Sequence, residues 1–371
     1  LLHSSGNIRK IKEGEMKIGI LTGGGDCPGL NAVIRAVVRK GTFDYADQFI
    51  GFLEGWRGVM DEKTIRLDLD SIAGILPRGG TILRTSRTNP VKKAGGLQQC
   101  IDSLKRQSLD ALISIGGDDT QSVAFALSEL GVNVVGVPKT IDNDLSGTDL
   151  CFGFDTAVNI ATEAIDRVHT TAEAHNRVIV VEVMGRDSGW IALYSGIAGG
   201  ADVILIPERP FDVDDVAERL KQRHARGRSF SIVVVAEGVR LRTDADPRHD
   251  SAVVTESGID EFGHVRLGGI GTILARDIEH RTGFETRAVI LGHTQRGGSP
   301  TAFDRVLATR YGIGAIDAVH NGGFGRMVSL KGDKITTIAL RDAISRTRLV
   351  PDEMIEVANG IADKPAVARK P

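Results

Sequence analysis

Two carboxylates stand side by side in Gly116-Gly117-Asp118-Asp119-Thr120, between the apolar run Ala111 to Ile115 and the helix-like segment Gln121 to Leu130. Glycines at the end of a strand let the backbone approach a ligand, and the start of the next helix offers free N–H groups to an anion. Together they make a seat for phosphate. Adjacent negative charges repel each other and a phosphate alike unless a cation lies among them, so the pair calls for a divalent metal. Taken alone, the stretch reads equally well as a strand-to-helix turn capped by Asp.

Other loops supply what that seat lacks. Gly23-Gly24-Gly25-Asp26 follows the short apolar run Lys17 to Leu21, and Arg78-Gly79-Gly80-Thr81 leads to Arg84 and Arg87. Further along come Lys139-Thr140-Ile141-Asp142-Asn143-Asp144, Met184-Gly185-Arg186-Asp187-Ser188-Gly189 and Gly292 to Pro300. Phosphoryl transfer asks a protein to position reactants, to neutralise charge on phosphate oxygens and to give the attacking hydroxyl a base. The chain offers two glycine loops, the metal-type carboxylate Asp118, the cations Arg87, Lys139 and Arg186, and the candidate bases Asp142 and Asp144. That inventory suffices for a kinase-like reaction.

Such residues need elements to hold them. Lys17 to Leu21 predicts a buried strand, and Leu30, Val33, Ile34, Val37 and Val38 recur at helical spacing until Gly41, which is expected to stop the run. Strand and helix alternate again through Ala111 to Leu130 and Val132 to Val137. A helix follows on which Asp155 is the expected cap, then strands at Val178 to Val183, Val203 to Ile206, Ser231 to Ala236 and Arg287 to Leu291. Continuous apolar strands between helices predict an α/β fold with mostly parallel, doubly covered sheets, whose ligands gather at the carboxyl ends of the strands. Val239 to Gly269 breaks the rhythm and reads as a surface excursion or an inserted hairpin. A closing strand, Lys334 to Leu340, and a helix near Asp352 to Asn359 complete the chain.

With 371 residues the chain is long enough for about two domains. Its formal net charge of −2 gives no case for nucleic acid or an anionic membrane. No apolar run reaches membrane-spanning length, and Leu1 to Glu15 lacks the apolar centre of a signal peptide. A cytoplasmic protein is expected, with residues 1–15 an N-terminal extension or tag and Met16 the native start. Cys27, Cys100 and Cys151 are an odd, scattered set that fits reduced thiols.

Leu21 to Asn31, the Gly-Gly-Asp loop, Lys139 to Asp144, Val183 to Arg186, Glu237-Gly238 and Leu291 to Pro300, in that order, resemble the phosphofructokinase family. The resemblance runs from about Met16 to past Asp304. It implies two similar doubly wound domains with the active site in the cleft between them. Residues 16–153 with about 295–345 would bind the phosphoryl donor, and residues 154–294 with about 346–371 the sugar phosphate. The implied reaction carries a phosphoryl group to the 1-hydroxyl of fructose 6-phosphate, giving fructose 1,6-bisphosphate. Asp142 matches the base, Thr140 the residue that steadies the transferred group, and Asp118 the Mg²⁺ carboxylate, helped by Asp144. Arg87 and Arg186 match cations around the moving group, and Gly25, Gly117, Asp119, Thr120 and Lys139 the donor seat. Met184, Gly185, Arg186, Glu237, His293 and Arg296 match sugar-phosphate positions, with Thr140 and Asp142 facing the same substrate. Arg177 and Arg287 match positions that reach in from a neighbouring subunit, which implies a homodimer or homotetramer.

The donor turns on Asp119. ATP-using members of the family usually carry a second glycine there, close to the nucleotide's inner phosphate. Two unit charges about 5 Å apart repel by roughly 3 kcal/mol at an effective dielectric near 20, about a hundredfold in binding. Pyrophosphate ends where that clash begins, and Lys139, where ATP users usually have glycine, can pair with its far phosphate. Val123 likewise replaces a glycine that ATP users tend to have. These departures resemble the pyrophosphate-dependent branch, with pyrophosphate and phosphate as donor and product. An ATP-dependent enzyme and a non-catalytic sugar-phosphate-binding subunit are the alternatives. Arg35 and Arg39 match effector-pocket arginines of allosteric relatives, but Leu69, His169 and Phe230 replace their usual partners, so nucleotide control is not expected.

Overall fold

The computed structural model describes residues 15–241, 251–252, 254–259 and 265–361. Two parallel sheets organise them. The larger has seven strands in the order Lys334–Ala339, Arg326–Lys331, Val134–Pro138, Ala111–Gly116, Lys17–Thr22, Gln48–Phe52 and Thr64–Leu67. Its five inner strands pair parallel, and the outermost strand at each edge is antiparallel to its neighbour. The smaller sheet, Thr286–Ile290, Val178–Val183, Ser231–Ala236 and Val203–Leu205, is parallel throughout. Val178–Val183 and Ser231–Ala236 are buried at every residue. Runs rich in β-branched residues without alternation suit strands covered on both faces, and helices supply that cover here.

Within the apolar strand Val178–Val183, Glu182 is a buried carboxylate. Its two oxygens accept from the backbone N–H groups of Gly269, at 2.9 Å, and Gly271, at 2.7 Å. It thereby anchors the start of the helix Ile270–Thr282, where a negative charge also meets the positive end of the helix dipole.

Most expected elements form within a residue or two of their predicted ends. Gly41 does not stop its helix: Leu30–Lys40 runs on into a π-helical turn, Gly41–Tyr45, which ends at Ala46 in the left-handed conformation. Asp155 is not a cap either. The helix Phe154–His175 begins after Gly153 with no side-chain cap, and the Asp155 carboxylate accepts from the Thr301 hydroxyl at 2.6 Å. The excursion contains two antiparallel pairs, Arg240–Leu241 with Ser251–Ala252 and Val254–Ile259 with Val265–Leu267. Its remaining residues, and the expected extension before Glu15, lie outside the described residues. Cys27, Cys100 and Cys151 are buried and free. Among the described residues no helix is long and apolar enough to cross a membrane.

Candidate active site

Strands Lys17–Thr22 and Ala111–Gly116 lie side by side with Thr22 opposite Ile115, so the glycine loops that follow them start together. Thr120 fills the space between them. A Cβ on Gly23 would fall 2.5 Å from its Oγ1, and one on Gly116 would fall 2.3 Å from its Cβ, so both positions need glycine. Behind the turn, the buried Gln121 amide nitrogen lies 2.9 to 3.1 Å from the carbonyl oxygens of Ser114, Gly116 and Val137. It fixes the separation of the two strands whose ends carry Asp118 and Lys139.

Lys139 is 4% exposed, and its ammonium donates to the Gly25 carbonyl at 2.5 Å. Burial pulls its pKa down from the ordinary lysine value. Among the described residues it makes no ion pair, so its charge is met by the Gly25 carbonyl and, at longer range, by Asp142 and Asp26. The Arg296 guanidinium crosses the same loop: a Cβ on Gly25 would sit 1.7 Å from its Nη1.

These groups enclose a cavity of about 150 Å³. Its walls include Gly25, Gly117, Asp118, Asp119, Thr120, Lys139, Thr140, Asp142, Arg186 and Arg296. These positions, all named from the sequence, thus share one space. Asp26, Asp144, Arg346 and Thr347 line it as well. Asp26 was legible in the first glycine loop; Arg346 and Thr347, in a polar stretch near the carboxyl terminus, gave no signal. Val123 does not line the cavity. Its side chain packs in a separate apolar cluster with Leu21, Trp56 and Leu127, so the donor question rests on Asp119 and Lys139.

The carboxylates crowd one another. Asp142 Oδ1 is buried without a hydrogen-bond partner, while the Asp142 N–H donates to Thr140 Oγ1 at 3.0 Å. Burial, then the charges of Asp142 and Asp118, push Asp144 up to about 7. A divalent cation would relieve this surplus of negative charge. Among the described residues no three His, Cys, Asp or Glu side chains gather into a metal cage. Mg²⁺ is commonly held by one or two carboxylates together with substrate phosphates and water. Asp118, with Asp144 close enough for their charges to interact, would hold such an ion.

The loop Met184 to Gly189 meets the same space from the smaller sheet. Gly185 has φ 150° and Arg186 φ 49°, and a Cβ at Gly185 would meet the Ser188 carbonyl at 2.5 Å. Met184 is buried beneath them. Glu237 Oε1 lies 3.4 Å from the Arg186 N–H, and burial, then the charge of Asp142, push its pKa up to about 7. His293 is exposed on the loop that carries Arg296, outside the cavity wall. Arg87 is also exposed and outside it, on the segment tied to the donor loop by the Thr85 hydroxyl, 2.5 Å from the Gly24 carbonyl. Arg177 and Arg287 stand apart from the rest. Both bind Glu285 at 2.7 Å, at the amino ends of strands whose carboxyl ends carry the sugar-side loops. Five or six residues of strand put them roughly 17–20 Å from those loops.

A larger open groove of about 760 Å³ lies against the helix Ala302–His320 and the final hairpin. It holds no glycine loop and none of the residues named for chemistry.

Residues 17–319 match the family described as Phosphofructokinase. A pyrophosphate–fructose 6-phosphate 1-phosphotransferase of Streptomyces coelicolor is 57% identical over 342 residues, covering 92% of this chain and 98% of that protein. ATP-dependent 6-phosphofructokinase 3 of the same organism is 51% identical over 337 residues, covering 91% and 97%. Among solved structures, the T-state phosphofructokinase of Pichia pastoris superposes with a TM-score of 0.78 at 32% identity. That match covers 95% of this chain, which spans 37% of the longer yeast chain. Converging glycine loops, a cavity walled by carboxylates and cations, and these likenesses have one reading: the chain belongs to the phosphofructokinase family.

Proposed function

We propose that this chain is a pyrophosphate-dependent 6-phosphofructokinase, which transfers a phosphoryl group reversibly from pyrophosphate to the 1-hydroxyl of fructose 6-phosphate. The observation that carries the donor assignment is the pairing of Asp119 and Lys139 in the walls of one cavity of about 150 Å³. Asp119 repels the inner phosphate of a nucleotide, whereas the buried Lys139 ammonium gains a counter-charge when pyrophosphate enters. The relative named for pyrophosphate is 57% identical and the relative named for ATP 51%. ATP use is the second reading, because the two values are close.

Asp142 takes the proton of the sugar's 1-hydroxyl. The freed oxygen bonds to the terminal phosphorus of pyrophosphate as the bridging P–O bond breaks and phosphate leaves. Thr140 steadies the transferred group, and Lys139, Arg186, Arg296 and Arg87 offset charge on the phosphate oxygens. Asp118, helped by Asp144, would hold Mg²⁺, which would supply further positive charge to the donor. Met184, Gly185, Glu237 and His293 hold the sugar phosphate. Reversibility follows because donor and product are both phosphoric compounds of similar transfer energy.

In the same reading, residues 16–153 with about 295–345 hold the donor, and residues 154–294 with about 346–371 the acceptor. Arg177 and Arg287 serve a neighbouring subunit's site in a cytoplasmic homodimer or homotetramer, which their distance from their own loops supports. Replacement of the base tests the chemistry. Asp142→Asn should bind fructose 6-phosphate yet lose at least a thousandfold in kcat. Retained turnover would overturn the assignment of the base, and an inactive parent would leave the non-catalytic subunit as the better description.

A further inference from the structure

The loop that carries Asp142 is held from outside itself, at three consecutive carbonyls. The Asp142 carbonyl lies 3.2 Å from the Ser188 hydroxyl. The Asn143 carbonyl accepts from the Arg348 guanidinium at 3.0 Å, and the Asp144 carbonyl accepts from the Arg348 backbone N–H at 2.7 Å. Between the two acids, Asn143 has φ 55°, a left-handed conformation that asparagine tolerates, and its Oδ1 accepts from the Cys151 N–H at 2.9 Å. Arg348 holds the loop's carbonyls from the carboxyl-terminal side.

Arg348 is itself fixed with unusual completeness. Its guanidinium lies 4.1 Å above the Trp190 ring, and the Trp190 indole N–H donates back to the Arg348 carbonyl at 3.0 Å. Trp190 opens the helix that follows the sugar-side loop. Beside it, Glu208 Oε1 accepts from both Gly189, at 3.0 Å, and Val350, at 2.9 Å. Leu145 and Thr347 add an antiparallel bridge. Among the described residues Arg348 makes no ion pair: its charge is met by a carbonyl, an aromatic face and, at longer range, Asp149. An exposed surface arginine does not need such a setting, because water compensates its charge.

We infer that Arg348 is a positioning residue for phosphoryl transfer, which sets the base-bearing loop against the sugar-side loop through Asn143 and Trp190. It touches no reacting atom. Its effect falls on kcat, because a base displaced by a fraction of an ångström loses alignment while the phosphate-binding groups on other loops stay in place. Lysine can keep both a hydrogen bond to the Asn143 carbonyl and a cation over the indole; alanine can keep neither.

This inference rests on Asp142 being the base, so the test carries Asp142→Asn beside the variants. Initial rates with pyrophosphate and fructose 6-phosphate are measured in the full chain for Arg348→Ala, Arg348→Lys and Trp190→Phe, each with its melting temperature. The expected result for Arg348→Ala is a kcat at least tenfold lower, with both KM values within threefold of the parent. Arg348→Lys should recover to within threefold of the parent, and Trp190→Phe, which keeps a ring but loses the indole N–H, should fall between. If Arg348→Ala does not fold, the Lys and Phe variants decide: a parental kcat in Trp190→Phe, or equal losses in both, overturns the inference. In a folded Arg348→Ala, a kcat within threefold of the parent, or a loss confined to KM, does the same. An inactive Asp142→Asn beside a normal Arg348→Ala refutes only the role of Arg348, whereas an active Asp142→Asn refutes the reading on which it stands.

Discussion

Glu237, which we propose holds the sugar phosphate, illustrates how a site can strain the fold that carries it. Burial and the charge of Asp142 raise its pKa from the ordinary 4.5 to about 7. At about 1.36 kcal/mol per pKa unit, ionising this group in the folded chain costs about 3 kcal/mol more than in the unfolded one. Below pH 4.5 both states are protonated and the cost is absent. As the pH rises towards 7 the unfolded chain ionises first, so the folded state loses stability; above 7 both are ionised and the full cost remains. Glu237→Gln carries no charge at any pH and escapes that cost. In ligand-free protein with chelator, the variant should exceed the parent by less than about 1 kcal/mol at pH 5 and by about 3 kcal/mol at pH 8. Urea unfolding at pH 5, 6, 7 and 8 reads the difference. With an m-value of about 3 kcal/mol/M, the midpoint should rise by about 1 M at pH 8. The same variant should raise KM for fructose 6-phosphate about tenfold, the loss of a charge-assisted hydrogen bond. A stability difference that does not change with pH, or a variant less stable than the parent at pH 8, would refute the reasoning.

Two further perturbations probe the donor side. Asp119→Gly combined with Lys139→Gly should lower kcat/KM for pyrophosphate about a hundredfold and admit measurable ATP turnover. Unchanged pyrophosphate kinetics would count against the donor assignment. Gly25→Ala places a Cβ 1.7 Å from Arg296 Nη1, so it should cut kcat/KM at least tenfold while moving the melting temperature by only a few degrees. Normal rates in that variant would mean that Arg296 does not cross the loop.

The central architecture was legible because buried parallel strands write themselves as apolar runs and their glycine loops follow at once. The edges were not. Gln48–Phe52, Thr64–Leu67 and the first strand of the final hairpin, Arg326–Lys331, carry no strand-loop-helix rhythm of their own. They join the sheet by pairing with strands already present. Gly41 misled because a glycine can stay in the right-handed helical region when its neighbours continue the turn, as it does here at φ −61°. At the site, residue type and spacing identified the cavity walls, but spacing alone could not place Val123 in the core. Nor could it bring Arg346, Thr347 and Arg348 across about 200 residues of chain to the loop at Thr140 to Asp144. Contacts of that span depend on tertiary packing, which local sequence does not encode. His169 and Phe230, which stand in place of effector contacts, satisfy each other instead: the ring of one meets the other edge-on at 5.8 Å, and His169 Nε2 lies 2.9 Å from the Gly199 carbonyl.

The measurement that bears most directly on the whole account compares pyrophosphate with ATP as donor to fructose 6-phosphate, by initial rates with Mg²⁺ at matched concentrations. Pyrophosphate should give kcat/KM at least a hundredfold above ATP, and mixing fructose 1,6-bisphosphate with phosphate should run the reaction backwards to pyrophosphate. Turnover with ATP and none with pyrophosphate would contradict it.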